Sequence, residues 1–156
     1  MAVTPPALHP AYVRALQQLV ETAPFPRLMG MRLDEIVIDR ATIALDIDER
    51  HYQPFGIVHG GVLATLIDTA TFWAAFARLP QDAGLVNIDL KLNYLQPAGA
   101  GRLSAVGRCL RPGRTINYAE AHVYDEGGAL LAHGTSTLMA LPGRGLDLGE
   151  PKFVQA

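Results

Sequence analysis

Residues 55 to 68 read FGIVHGGVLATLID: two glycines follow His59, and a single carboxylate, Asp68, ends an apolar run. On a helix, the neighbours of Asp68 one turn away are Ala64, Thr65, Thr71 and Phe72, so its own face carries no cation. A carboxylate buried without a charged partner is costly and has a raised pKa, the mark of a group with a chemical task. Two tasks fit: a general base that activates water against a carbonyl, or a direct nucleophile. The structural alternative is an aspartate held by the Thr65 or Thr71 hydroxyls.

Gly60 and Gly61 stand where that helix must begin. The first N–H groups of a helix have no internal partner and carry the positive end of its dipole. Glycine lets a substrate come close to them, and an oxyanion developing there would be stabilised, which suits acyl transfer. The plainer reading of the HGG triplet is a tight turn from strand to helix. His59 either acts on substrate or serves as a hydrogen-bonding group at the helix start. Gln53, six residues before it, can orient a water or steady a carboxylate through its amide.

Beyond Asp68, Phe72, Trp73 and Phe76 either fill core or line an apolar pocket. The RPGR segment offers Arg111 and Arg114, preceded by Arg108. Guanidinium groups suit phosphate, and Arg114 is the first candidate. Gly60 and Asp68 are eight residues apart, about 12 Å along a helix. They cannot serve one small carbonyl from the same helix. Two copies with antiparallel central helices would bring one chain's Asp68 to the other's Gly60.

These residues need elements to position them. The chain has 156 residues, enough for one domain with its own core. A formal net charge of −2 leaves no electrostatic footprint for nucleic acid or an anionic membrane. The only cysteine, Cys109, excludes an internal disulfide, and no Cys/His metal spacing is present. The opening MAVTPPALHP has prolines where a secretion signal has an apolar core, so a cytoplasmic protein is expected. The apolar stretch from Val62 to Leu79 approaches membrane-spanning length, but Asp68 and its threonines favour a helix buried on all faces.

Around it, residues 9–22 read as an amphipathic helix, and 28–38 and 41–48 as strands. Residues 86–94 put Val86, Ile88, Leu90, Leu92 and Tyr94 on one face. Residues 102–110, 114–124 and 129–141 are further strands. QPAGAG (96–101), RPGR (111–114) and DEGG (125–128) supply turn chemistry between neighbours, implying hairpins. The segment after Pro142 has no period and is expected to be loose. The chain is thus read as a single α+β domain, 1–156, with an antiparallel sheet curled around one long apolar helix.

QPFGIVHGGVLATLID, with LVNIDLKLNYLQPA soon after, resembles the hotdog-fold acyl-CoA thioesterases. Within them it is most similar to the phenylacetate-pathway type of the 4-hydroxybenzoyl-CoA thioesterase superfamily. The resemblance runs from about Leu28 to Leu141. It implies hydrolysis of an acyl-CoA to free acid and CoA without metal or cofactor, and a pocket lined by Phe72, Trp73 and Phe76 would favour an aryl or medium-chain acyl group. It also implies Asp68 as the catalytic acid residue, Gly60 and Gly61 at the oxyanion site, and His59 shaping it. The implied assembly is a homodimer with shared sites, commonly paired into a homotetramer. Where the family usually has Asn, or Gln paired with Glu, this chain pairs Gln53 with Asp68. Asn87 stands where the family often has Ser or Thr to position water. Two other outcomes of the same resemblance are a non-hydrolytic acyl-CoA-binding protein and a hydratase or dehydratase, although the latter use a different loop motif.

Overall fold

The computed structural model describes residues 6–154. Two helices open it: α1, Pro10–Thr22, and α2, Pro24–Met29. Strands β1, Met31–Val37, and β2, Arg40–Asp46, come next, and a 3-10 turn at Glu49–His51 leads to the long helix α3, Gly60–Phe76. Strands β3, Ala83–Tyr94, β4, Arg102–Arg111, β5, Ile116–Tyr124, and β6, Leu130–Pro142, complete the order.

The six strands form one antiparallel sheet in the order β1-β2-β4-β5-β6-β3. Helix α3 touches every one of them. Its sequence explains why: apolar residues occur on all its faces, and Leu63, Leu66, Ile67, Ala70, Ala74 and Phe76 are buried. Leu66 and Ile67 are fully enclosed, and each contributes about 1.5–3 kcal/mol. Helix α1 covers the free flank of the sheet with Tyr12, Leu16 and Val20, spaced by four as an amphipathic helix requires. This is the α+β hotdog arrangement that the resemblance implies. Among the described residues no helix is long and apolar enough to cross a membrane.

Four local expectations need correction. The strand expected from Leu28 begins at Met31, because Pro24 starts a short helix and the left-handed Gly30 ends it. QPAGAG does not close a hairpin: β3 pairs with β6 and β4 with β2. Turn residues mark a change of direction without fixing the next partner. The segment instead crosses between sheet positions, held by Val58 N–H to Ala98 O (2.8 Å) and Ile47 N–H to Gly101 O (2.9 Å).

The third correction concerns β3, whose pairing with β6 shifts between Asn87 and Asp89. A bulge there swaps faces, so Leu85 and Asn87 lie inward before it and Leu90 and Leu92 after it. Val86 and Ile88, expected on the apolar face, are 41% and 55% exposed. The fourth is the segment after Pro142, which is not loose over its described residues. Leu8 bridges Phe153, His9 N–H donates to Lys152 O (2.9 Å), and Lys152 is wholly buried. Residues 155–156 lie outside the described residues.

Candidate active site

Asp68 sits midway along α3, facing β3. Its Oδ1 accepts a hydrogen bond from Asn87 Nδ2 at 2.6 Å, and the same amide reaches the Asp68 carbonyl at 3.4 Å. Among the described residues no cation pairs with it. Burial raises its pKa above the ordinary carboxylate value, and the Asn87 hydrogen bond offsets part of that rise. The threonine alternative does not hold: the Thr71 hydroxyl donates to the Asp68 backbone carbonyl (2.9 Å) and bonds Ser136 Oγ (2.9 Å), leaving the carboxylate alone. Asn87, a candidate for substrate contact at a position where the family often has Ser or Thr, is a direct partner of the carboxylate, carried inward by the strand just before its bulge.

The start of α3 is built differently. His59 is its N-cap, with extended backbone, and its Nδ1 accepts the Gly61 N–H at 2.8 Å. Val62 N–H returns to His59 O at 2.9 Å. His59 therefore occupies a helix-capping position, and the Gly61 N–H is consumed by that cap. The Gly60 N–H has no acceptor among the described residues. The donor expected from two glycines comes down to one.

A cavity of about 350 Å³ opens in front of Gly60, lined by Gln53, Leu63, Tyr94, Leu95 and Pro97 among others. Tyr94 packs directly on the glycine: a Cβ there would lie 2.9 Å from its Cζ, and its hydroxyl donates to Gly60 O at 3.1 Å. A larger residue there would have to displace that ring. The Gln53 side-chain oxygen accepts the Phe55 N–H, which folds the loop back and leaves the amide NH2 uncommitted. Tyr94 was not singled out in the sequence as a site residue, since it read only as the last apolar position of a strand.

Thus Gln53 and Gly60 come together, as do Asp68 and Asn87, while the eight residues between Gly60 and Asp68 keep the two groups at opposite ends of half a helix. Phe72 lies one turn beyond Asp68, stacked on Phe76 (centroids 6.1 Å) and edge-on to Trp73 (4.9 Å). These rings border an apolar cavity of about 300 Å³. Arg114 lies exposed on the turn between β4 and β5, beside a separate cavity that Arg78 also borders. Arg78 is committed to Asp39, with Nε 2.7 Å from its Oδ1. Arg108 faces a shallow pocket on the outside of the sheet, and neither it nor Arg114 joins the groups on α3. Among the described residues no three His, Cys, Asp or Glu side chains gather where they could hold a metal ion.

The fold and sequence have close counterparts. A thioesterase family protein of Silicibacter pomeroyi superposes with a TM-score of 0.78 at 30% identity, over 85% of this chain and 99% of that one. A thioesterase of Haemophilus influenzae gives a TM-score of 0.77 at 26% identity, over 81% and 88%. A 1,4-dihydroxy-2-naphthoyl-CoA hydrolase of Listeria monocytogenes is 26% identical over 110 residues, covering 70% of this chain and 89% of that protein. Residues 55–132, which span the glycine pair, Asp68 and Asn87, match the family model described as the thioesterase superfamily. The chain belongs to the thioesterase superfamily and is a thioester hydrolase.

Proposed function

We propose that this enzyme hydrolyses an aryl- or medium-chain acyl-CoA to the free acid and CoA, in the cytoplasm, with Asp68 as general base. The observation that carries this reading is the Asp68 environment: a desolvated carboxylate with one neutral amide donor on Oδ1 and no cation. Its raised pKa makes it a better proton acceptor than a surface aspartate. The Listeria relative, named as an acyl-CoA hydrolase with an aromatic acyl group, supports the substrate class.

The thioester carbonyl oxygen accepts the Gly60 N–H at the positive end of α3. Asp68 takes a proton from water as the water oxygen bonds to the carbonyl carbon. The tetrahedral oxyanion collapses, the C–S bond breaks, and CoA leaves as thiolate, recovering a proton from the Asp68 carboxylic acid. The uncommitted NH2 of Gln53 orients substrate or water beside Gly60. The Phe72, Trp73 and Phe76 cavity takes the acyl group, and Arg114 meets a CoA phosphate.

About 12 Å of helix separates Gly60 from Asp68, so the site is completed by a second copy. Strand β3 is an edge of the sheet, and Val86, Ile88 and Tyr94 stand exposed along it. An apolar edge strand is a template for another chain. Two copies meeting there with antiparallel α3 helices give two composite sites, and pairs of dimers give the tetramer that the resemblance implies.

Thiol release from a panel of aryl- and alkyl-CoA thioesters tests the reaction. A binding module or a hydratase yields none. A single turnover in oxygen-18 water then tests the role of Asp68: a general base puts all the label in the product acid. Label recovered in the Asp68 side chain would make it the nucleophile instead.

A further inference from the structure

The segment after β6 touches the molecule in a place that the reaction does not explain. It leaves the sheet at Pro142 and crosses the first residues of β3, where Gly145 N–H donates to Asp82 O (2.9 Å). The crossing is so close that a Cβ on Gly84 would collide with the Arg144 carbonyl oxygen. Leu146 and Leu148 then pack against the core. At the far end Lys152 is 0% exposed, and its ammonium donates to Phe76 O (2.7 Å) and Leu79 O (2.8 Å). Phe76 O ends α3, where it also accepts the Leu79 N–H (3.1 Å), and Leu79 O lies in the turn just beyond. The same nitrogen lies 3.8 Å above the Phe76 ring, a cation–π contact in a desolvated setting.

That ring belongs to the cavity beyond Asp68. Phe72, Trp73 and Phe76 form one side, Leu85 of β3 another, and Arg144 and Leu146 close it. Phe72 is one helical turn from Asp68. Leu85 is two residues before Asn87, on the same face of β3 and ahead of the bulge. The cavity therefore begins one helical turn from Asp68 on α3 and two residues from Asn87 on β3, and neither of the pair lines it. Leu19 and Val20 of α1, with Ala23 and Pro26 at the start of α2, form a third side, so three of its walls are helix or sheet. The fourth is an irregular segment fixed by hydrogen bonds at one end and a buried lysine at the other.

We propose that this segment determines acyl size, with Leu146 as the limiting wall and Lys152 as the positioning residue that holds it. The proposal rests on the reading that the acyl group lies beside Asp68. A methylene gained or lost in such a pocket changes discrimination by about 10–200-fold. Leu146→Phe shortens the cavity and Leu146→Ala lengthens it. Lys152→Met frees the wall from its anchor and loosens the limit without altering its shape.

Trp73 is the only tryptophan in the sequence and lines the cavity, so its emission reports occupancy without turnover. Titration of wild type with S-octyl-CoA, a thioether that cannot be hydrolysed, is expected to shift that emission; free CoA is not. Leu146→Phe should need about tenfold more thioether, and its kcat/KM ratio for octanoyl-CoA over propionyl-CoA should fall about tenfold. In Leu146→Ala the ratio of dodecanoyl-CoA to octanoyl-CoA should rise by a similar factor, and Lys152→Met should raise it severalfold. Ratios unchanged in both Leu146 variants, or a Trp73 emission blind to the thioether, would overturn the proposal. Wild type that binds the thioether but releases no thiol from any thioester would strike the hydrolytic reading and leave the wall supported.

Discussion

The two ends of α3 make opposite use of the same physics. At its C-terminus, the carbonyls of Phe76 and Leu79 are met by a buried lysine, and the end is sealed. At its N-terminus, one N–H is tied to the His59 cap, but the Gly60 N–H, on a residue that lines a cavity, has no acceptor among the described residues. Every helix has orphan groups and a dipole at each end. Here the negative end is satisfied from outside the helix, and at the positive end the Gly60 N–H is left without an acceptor among the described residues. Asp68, between them, follows the second pattern: it is desolvated, no cation among the described residues pairs with it, and the Asn87 hydrogen bond relieves only part of the cost.

The largest way to break this contrast is Asp68→Ala, expected to lower kcat by about 10⁴-fold while circular dichroism and oligomer size stay unchanged; near-normal turnover would remove Asp68 from the mechanism. Gly60→Val should cost about 10²–10³-fold, the value of a lost oxyanion donor, since it displaces Tyr94 and blocks the helix end. These two inactive proteins also probe the shared site. Refolded together, half the dimers are mixed, and each mixed dimer has one intact site of two. About a quarter of wild-type thiol release should return; verified mixed dimers that stay silent would place each site within one chain.

Gln53→Ala should cost less, about ten- to a hundredfold in kcat, as a positioning group does. Lys152→Met acts on the sealed end and on stability instead. Leu79 O loses its donor and Phe76 O keeps only the Leu79 N–H, for about 1–3 kcal/mol, read as a lowered melting temperature. Burial holds the Lys152 pKa down to about 7, against 10.5 for a free lysine. The unfolded chain then binds more protons between those values, so this group makes stability rise with pH across that window, and the variant removes the rise.

The smallest effect is a gain. The folded pKa of Asp68 is raised, so above about pH 3.8 the unfolded chain releases its proton first and stability falls as pH climbs towards the folded value. Asp68→Asn should therefore be inactive yet slightly more stable near neutral pH, measured by thermal melts of the two proteins. A less stable Asn variant would mean that the carboxylate is well accommodated after all.

The glycine pair, Asp68 and the all-round apolar helix were legible in the sequence because each is a local pattern: a spacing, a run, a charge out of place. The period-two strands β2, β4, β5 and β6 were legible for the same reason. What failed was whatever depends on distant partners. The bulge in β3 changes which residues face α3, and nothing in VNIDLKLNY announces it. Asn87 meets Asp68 only because of where that bulge falls. Tyr94 over Gly60 joins residues 34 apart. Lys152 sits in a segment with no periodicity at all, and its burial follows from two carbonyls and a ring supplied by another part of the chain.

The Lys152 contact reaches back across 76 residues to Phe76. All four strands from β3 to β6 are made in that interval. At about 5–20 residues per second, a ribosome takes roughly four to fifteen seconds to supply the lysine once the helix has been synthesised. During that time the aromatic end of α3 is a greasy terminus without its lid, the part of the nascent chain most open to a chaperone or to another half-made copy. Closure of this end of the fold is thus marked at one place: the arrival of a single lysine on a helix that has been waiting for it.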